Sequence, residues 1–173
     1  MNSKRLSAWL GAGLMAALFS FGIAPPVHVY AHEGEHFSAG EPGNPKKPFR
    51  VVQVTMHEGN GTMSFSPATL QVKRGEQIKF VIMNGGALAH EFILANEKDN
   101  LKHAELMKKY PDMEHDDPNG KTVQPNAKNE ILWRFSKSGA FEYACLIPGH
   151  REAGMIGKVT VKQEKAILQR TTR

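Results

Sequence analysis

Apolar residues recur at every second position in several short segments of the chain, and turn-forming residues separate these segments. The segments are residues 49–56, 70–72, 78–82, 131–135, 141–145 and 159–161. A period of two places the apolar side chains on one face of a β-strand. Short alternating strands with turn signals between them are typical of an antiparallel β-sandwich. The sequence therefore predicts one all-β domain over residues 49–162.

Residues 95–128 interrupt this alternation and predict an insertion that contains a helix. Asn100 is a suitable N-terminal cap, and we expect the helix to run from Leu101 to about Tyr110, because Pro111 ends it. The rest of the insertion is an acidic, polar loop. Connections of this length inside a domain are often functional.

Four side chains in the insertion carry a nitrogen or sulfur atom that can bind a metal ion: His103, Met107, Met113 and His115. They could form a second, weaker metal site or a docking surface. They could equally belong to a solvated cover over one end of the sandwich, since methionine also fills gaps in apolar packing. The pattern alone leaves both interpretations open.

The first 31 residues have the composition of a secretory signal peptide. Lys4 and Arg5 precede an apolar segment, residues 6–23, and Val29-Tyr30-Ala31 resembles a cleavage site. We therefore expect export to the periplasm and a mature chain that begins at His32. A retained membrane anchor is the alternative interpretation of the same segment.

Two polar segments flank the predicted domain: a flexible arm over residues 32–48 and a tail over residues 163–173. The arm opens with His32-Glu-Gly-Glu-His36, which matches the H-E-x-x-H string of zinc proteases. That motif requires a helix, and the glycines and prolines in and after the string disfavour one. The two histidines could instead form an accessory metal site, because an N-terminal histidine offers its amine as well as its imidazole.

The charge pattern excludes one class of partner. Removing Lys4 and Arg5 with the signal peptide lowers the formal net charge from +5 to about +3. The basic residues are spread along the chain and form no cluster with aromatic residues, so we expect no nucleic-acid binding. A mild basic bias is compatible with an acidic protein partner.

The segment from Cys145 to Met155 contains a thiol, the imidazole of His150 and a thioether. Cys145 is the only cysteine of the chain, and in an exported protein it indicates a free thiol or a metal ligand. Pro148-Gly149 predicts a turn that folds the ligands towards one ion. A thiolate, two imidazoles and a weak sulfur ligand form copper electron-transfer sites. His90, just before an apolar segment, is our candidate for the second imidazole.

The spacing Cys-x4-His-x4-Met, with a lone histidine about fifty residues earlier, resembles the cupredoxin, or type 1 copper, family. The segments 65–67, 70–75, 78–80 and 90–92 are similar to that family as well, so the resemblance covers roughly residues 49–162. The methionines and histidines of the insertion make the small periplasmic copper-tolerance cupredoxins the most similar group.

This resemblance implies a Greek-key β-sandwich with one type 1 copper ion, bound by His90, Cys145, His150 and, at a longer axial distance, Met155. It also implies one-electron transfer, copper tolerance or both, without enzymatic activity, in a monomer that meets a redox partner transiently. Family members often have an asparagine after the first histidine. Here Glu91 follows it, and a carboxylate near the site could shift the reduction potential.

Two alternative functions stay open. A copper chaperone or buffer would use additional sites and would bind more than one copper ion per chain. Those sites would be built from His32, His36, Met107, Met113 and His115. A copper oxidase is the other alternative, but the resemblance implies that an oxidase would carry a histidine beside its copper cysteine, whereas Ala144 precedes Cys145.

Overall fold

Two five-stranded β-sheets pack face to face in the computed structural model, which describes residues 37–163. In chain order the strands are β1 (Glu41–Pro42), β2 (Arg50–Gly59), β3 (Thr62–Ser66), β4 (Thr69–Lys73), β5 (Gln77–Asn84), β6 (His90–Ala95), β7 (Gly120–Val123), β8 (Lys128–Arg134), β9 (Gly139–Ala144) and β10 (Ile156–Lys162). One helix, α1 (Glu97–Lys109), lies between β6 and β7 in this part of the chain.

The first sheet has the strand order β1-β8-β5-β2-β3, and the second has the order β4-β10-β9-β6-β7. Most neighbouring strands are antiparallel, and the predicted all-β sandwich is confirmed. Two pairs, β2 with β5 and β4 with β10, are parallel. The sequence could not show this, because alternation indicates which face is buried but not the direction of the neighbouring strand. The parallel register aligns Met56 with Asn84 and so brings the end of β2 beside the segment that leads to His90.

The core between the sheets consists of the side chains that alternation predicts to face inward. Ile78, Phe80 and Ile82 of β5 are completely buried. Aromatic rings from several strands contact one another, and the Phe92 and Tyr143 rings stack with 5.0 Å between their centroids. Protein interiors packed in this way are dense and resist rearrangement. The core is therefore a stiff frame for side chains at the ends of its strands.

Strand β6 is buried along its whole length, because each of its faces is covered. Phe92 and Leu94 belong to the sandwich core, whereas Ile93 packs in a smaller apolar cluster with Met107 of α1 and Leu146. The helix of the insertion therefore covers the outer face of the second sheet. A strand covered on both faces has apolar residues at consecutive positions instead of alternating ones.

The helix begins four residues before the predicted start. Asn96, not Asn100, is the N-terminal cap, and its Oδ1 accepts a hydrogen bond from the Asp99 N–H at 2.7 Å. Asn100 lies inside the helix, fully buried, and its Nδ2 donates to Glu142 Oε1 at 3.1 Å. Asparagine is favoured at an N-cap and not inside a helix, so the buried contact of Asn100 with β9 is what places it in the helix interior. The helix ends at Lys109, close to the predicted end.

The predicted flexible arm, residues 32–48, packs on the sandwich in its described part. Strand β1 pairs antiparallel with β8, and the Phe37 ring meets the Trp133 ring edge-on with 5.3 Å between centroids. Ala39 is completely buried, and its carbonyl accepts a hydrogen bond from Trp133 Nε1 at 3.3 Å. Part of residues 37–48 therefore packs on the sandwich, where the sequence predicts a flexible arm. A strand of two residues has no alternation that a sequence could display.

Several predicted features lie outside the described residues: the signal peptide of residues 1–31, the histidines His32 and His36, and the tail beyond Gln163. Within residues 37–163, α1 is neither long nor apolar enough to cross a membrane, and no other helix there could do so.

Candidate metal centre

The chain from Cys145 to Met155 forms a closed loop between β9 and β10. The Cys145 N–H donates to the Met155 carbonyl at 3.2 Å, and the Met155 N–H donates to the His150 carbonyl at 3.1 Å. The predicted Pro-Gly turn is present, because the His150 N–H donates to the Ile147 carbonyl at 3.0 Å and Gly149 has φ +88°. Only glycine adopts that conformation without steric cost. The loop therefore brings a thiol, an imidazole and a thioether to one end of the sandwich.

His90 begins β6, which pairs with β9, and its imidazole is completely buried. His90 Nε2 lies 2.8 Å from Glu58 Oε1. An imidazole that donates one N–H to a carboxylate presents its other nitrogen, here Nδ1, to a metal ion. Glu58 Oε1 also accepts the Leu88 N–H at 2.9 Å, and this bond, with help from His90, lowers the pKa of Glu58. Glu58 is therefore ionised and orients the ring.

Asn84 fixes the segment that leads to His90. Its side-chain Nδ2 donates to the carbonyls of Leu88, at 2.7 Å, and Val123, at 2.9 Å. Its Oδ1 accepts the Gly86 N–H at 2.9 Å. One buried amide thus connects β5, the loop before β6, and β7, so the position of His90 depends on three parts of the chain at once.

The side chains of His90, Cys145 and His150 converge. His90 Nδ1 lies 3.1 Å from His150 Nδ1, and Cys145 Sγ lies 3.3 Å from His150 Nδ1 and 4.0 Å from His90 Nδ1. Within residues 37–163 this is the only group of three histidine, cysteine or acidic side chains whose ligand atoms all lie within 4.8 Å of one another. Three ligand atoms about 2.0–2.3 Å from one ion and in one plane with it lie roughly 3.5–4.0 Å apart, and the observed separations are within about 0.4 Å of this range. Two imidazoles and a thiolate at these separations fit a single copper ion.

Cys145 is completely buried at the end of β9. Burial raises the pKa of its thiol to about 12, against the opposing effect of the Glu91 and Ile147 N–H groups. The free thiol therefore keeps its proton at neutral pH, whereas a metal ion deprotonates a coordinating thiol. The Glu91 N–H donates to Sγ at 3.3 Å and would stabilise the bound thiolate.

The remaining two predicted ligands differ in exposure. Met155 is completely buried and belongs to the same core cluster as Cys145, where its thioether could supply a weak fourth ligand. His150 is half-buried. Burial, and then the nearby His90, lowers the pKa of His150. A lowered pKa favours the neutral imidazole, which is the form that binds a metal ion.

A second group of titratable side chains lies beside Glu91. His103 Nε2 of α1 lies 3.0 Å from His115 Nε2, and His115 Nδ1 lies 3.0 Å from Asp117 Oδ2. Glu91 Oε1 lies 3.5 Å from His115 Nε2, while Glu91 Oε2 accepts the Leu146 N–H at 3.3 Å. Burial raises the pKa of Glu91 and lowers the pKa of His103. Both shifts reflect the cost of charging a group in an apolar environment.

The two methionines of the predicted accessory site pack in an apolar cluster and not with this polar group. Met107 is completely buried in the cluster of Ile93, Ala144 and Leu146, and Met113 packs against the same cluster. Both methionines therefore take part in apolar packing, which is one of the two interpretations that the sequence leaves open.

Glu58 is the residue that the sequence interpretation misses. Residues 57–61 contain two glycines and an asparagine, which indicate a turn, but β2 continues to Gly59, and the turn follows at Asn60 and Gly61. A signal was present, because Glu58 lies two residues beyond Met56 and so shares the face of the buried positions of β2. A carboxylate in that register points towards the interior and requires a partner there.

Comparison with known proteins identifies the family. The family model for copper binding proteins, plastocyanin/azurin family, matches residues 52–162. The copper-resistant cuproprotein CopI of Rubrivivax gelatinosus is 47% identical over 140 residues, which cover 78% of this chain and 83% of that protein. The protein of the same name from Pseudomonas aeruginosa is 31% identical over 181 residues, which cover 86% of this chain and 96% of that one.

Solved structures agree on the fold. Reduced auracyanin from the photosynthetic bacterium Roseiflexus castenholzii matches with a TM-score of 0.56 at 19% identity, over 65% of this chain and 96% of that one. The multicopper oxidase mgLAC matches with a TM-score of 0.51 at 14% identity, over 69% of this chain and 41% of that one. Identities this low show the sandwich alone. With a family match that spans every convergent ligand residue, the chain belongs to the plastocyanin/azurin family of copper-binding proteins.

Proposed function

We propose that this protein is an exported copper protein that acts in copper tolerance, in one-electron transfer, or in both. One type 1 copper ion would be held by His90, Cys145, His150 and Met155. The observation that carries this proposal is the convergence of His90, Cys145 and His150 within 4.8 Å. Two relatives bear the name copper-resistant cuproprotein, which supports a function in copper tolerance.

The side chains divide the work of the site among them. Bound copper supplies a one-electron couple. The thiolate of Cys145 is stabilised by the Glu91 N–H, and the His90 ring is held in orientation by Glu58. Because the ligands lie on a dense β-sandwich, they need to move little when the charge at the site changes. A site of this kind is suited to fast exchange of single electrons.

A protein partner would reach the site at His150. Among the four proposed ligands, His150 is half-buried, whereas the other three are completely buried. The exposed Leu88, at 48% exposure, lies in the loop before His90 and offers apolar surface near this end. We propose a monomer with a transient redox partner and without nucleic-acid binding.

Export is part of the proposal. The N-terminal 31 residues have the pattern of a cleaved signal peptide, and a lone cysteine in an oxidising compartment is best explained as a metal ligand. The expected result is a mature protein in the periplasmic fraction whose first residue is His32. An N-terminal sequence that begins at Met1 would show that the segment is retained.

We propose that the protein is not an enzyme. Ala144 precedes Cys145, and the proposed site is a single set of four ligands filled by one ion. The copper-loaded protein should therefore consume neither oxygen nor nitrite in the presence of an electron donor. Steady turnover of either substrate would favour the oxidase alternative.

The decisive test of the site is the Cys145→Ser variant. The Cu(II) form of the wild type should show an intense thiolate-to-copper absorption band, and the variant should lack it. The His57→Ala variant is a matched control, because His57 is exposed on β2. Persistence of the band in Cys145→Ser would refute the assignment of the ligands.

The same pair of variants tests copper tolerance. In a host that lacks its own gene for this protein, the wild type and His57→Ala should restore growth at elevated copper, whereas Cys145→Ser should not. Full restoration of growth by Cys145→Ser would show that copper tolerance does not depend on the proposed copper site.

A further inference from the structure

The hydrogen bonds of His103, His115 and Glu91 indicate which nitrogen of His115 carries a proton. The carboxylate of Asp117 can only accept a hydrogen bond, so His115 Nδ1, at 3.0 Å from Asp117 Oδ2, carries the ring proton. In the neutral ring, His115 Nε2 is then left with a lone pair. This lone pair lies 3.0 Å from His103 Nε2 and 3.5 Å from Glu91 Oε1.

Glu91 Oε1 lies beside the lone pair of His115 Nε2. The oxygen is buried and, among residues 37–163, has no hydrogen-bond partner. A buried polar atom without a partner is rare in proteins and costs free energy. A proton on His103 Nε2 would satisfy the pair of imidazoles but would leave an ionised Glu91 Oε1 facing a lone pair. A cation held by the two imidazoles would place a positive charge near that oxygen.

We propose that His103 and His115 bind a second divalent metal ion of the Cu(II) or Zn(II) class, with water in the remaining positions. Imidazole nitrogens are ligands that such ions accept. The contact of His115 Nδ1 with Asp117 is the carboxylate–histidine–metal arrangement that orients imidazole ligands in metal sites. In the first site, Glu58 has the same relation to His90.

The site is open to an entering ion. A pocket beside α1 is lined by Asn100, His103, His115, Asp117 and Asn119, so the two imidazoles face space that reaches the solvent. His103 is on the helix and His115 is in the loop that follows it, so the insertion supplies both nitrogen ligands.

Glu91 would join the two sites. Its backbone N–H donates to Cys145 Sγ, and its carboxylate holds the Leu146 N–H on one oxygen and faces His115 with the other. An ion at the second site would therefore attract the carboxylate of Glu91, whose N–H would stabilise the Cys145 thiolate at the first site. A protein with two ions per chain would also store copper, which is the buffering function that the sequence leaves open.

The test counts metal ions on the mature protein with its N-terminal segment intact. Cu(II) is added in excess, weakly held ions are removed with a chelator of moderate affinity, and the remaining copper is measured. The His103→Gln variant should hold one ion fewer per chain than the wild type and should keep the thiolate-to-copper band. His103 is half-buried, so this exchange leaves the core closed. His57→Ala is again the matched control and should lose no ion.

The Cys145→Ser variant makes the two sites separable. It should lose the ion of the first site and still lose one more when His103→Gln is added. Repeating the count with Zn(II) as the probe should give the same difference between variants. An equal count in the wild type and in His103→Gln, with the band retained, would show that the imidazole pair holds only a proton and would overturn the second site without touching the first.

Discussion

The side chain of Asn84 offers the sharpest test of how the fold positions His90. The variant Asn84→Asp keeps the size of the side chain but replaces the donor Nδ2 with an acceptor. The carbonyls of Leu88 and Val123 then lose their donor and face a carboxylate oxygen instead. The other oxygen can still accept the Gly86 N–H. The change therefore removes two of three hydrogen bonds and preserves the third.

The size of the effect follows from the burial of these bonds. Asn84 is 3% exposed, and its bond to Val123 is buried, whereas its bond to Leu88 is partly exposed. A buried group that loses its partner costs about 1–3 kcal/mol, and a partly exposed bond contributes about 0.5–1.5 kcal/mol. We therefore expect the variant to lower the free energy of unfolding by about 2–4 kcal/mol.

The measurement is urea denaturation of the metal-free protein at neutral pH, with linear extrapolation to water. Asn129→Asp is the matched control, because Asn129 Oδ1 accepts only the neighbouring Glu130 N–H in a half-exposed position on β8, and a carboxylate can do the same. The control should change stability by less than about 0.5 kcal/mol. Copper affinity should also fall in Asn84→Asp, since His90 loses part of its support. If both variants gave the same stability, Asn84 would not be the connection that we infer.

Two further variants test neighbouring parts of the argument. Glu58→Gln should weaken copper binding about 10–100-fold in competition with a chelator, because an outer carboxylate orients the ligand ring; an affinity equal to that of Glu130→Gln, an exposed glutamate on β8, would contradict this. Gly157→Ala should destabilise the protein by about 1–3 kcal/mol through overpacking, since a Cβ there would lie 1.9 Å from Cε2 of Tyr143. Gly59→Ala is the control in thermal denaturation, because a Cβ at Gly59 would meet nothing within 4 Å, and an equal loss of stability in both variants would exclude overpacking as the cause.

Much of the fold and of the first site is visible in the sequence, because both depend on local patterns. Alternation places Ile78, Phe80 and Ile82 inside, and they are completely buried. The ligand loop is equally local, since Cys145 and His150 are separated by a turn whose residues determine its conformation. His90 is a candidate because it precedes an apolar segment, and the family resemblance supports it, but no local pattern connects it to Cys145.

The parts that the sequence does not predict depend on contacts between distant segments. Asn96 and Asn100 are chemically identical candidates for a cap, and only the contact of Asn100 with Glu142 on β9 distinguishes them. Glu58 meets His90 because β2 and β5 are parallel in a particular register. Residues 37–48 likewise attach to the sandwich through the pairing of β1 with β8, two strands that are far apart in the sequence.

The insertion shows that a structural and a functional interpretation of one segment need not compete. On one side, Met107 of α1 packs against Ile93 on the outer face of β6. This cover allows β6 to carry apolar residues on both faces. On the other side, the same helix holds His103 against His115, next to the carboxylate of Glu91. Glu91 also directly follows His90 in β6, and its N–H donates to Cys145 Sγ, so it contacts both groups of side chains. A helix that served only as a cover would not require imidazoles at this boundary, and the metal count of His103→Gln decides between the two.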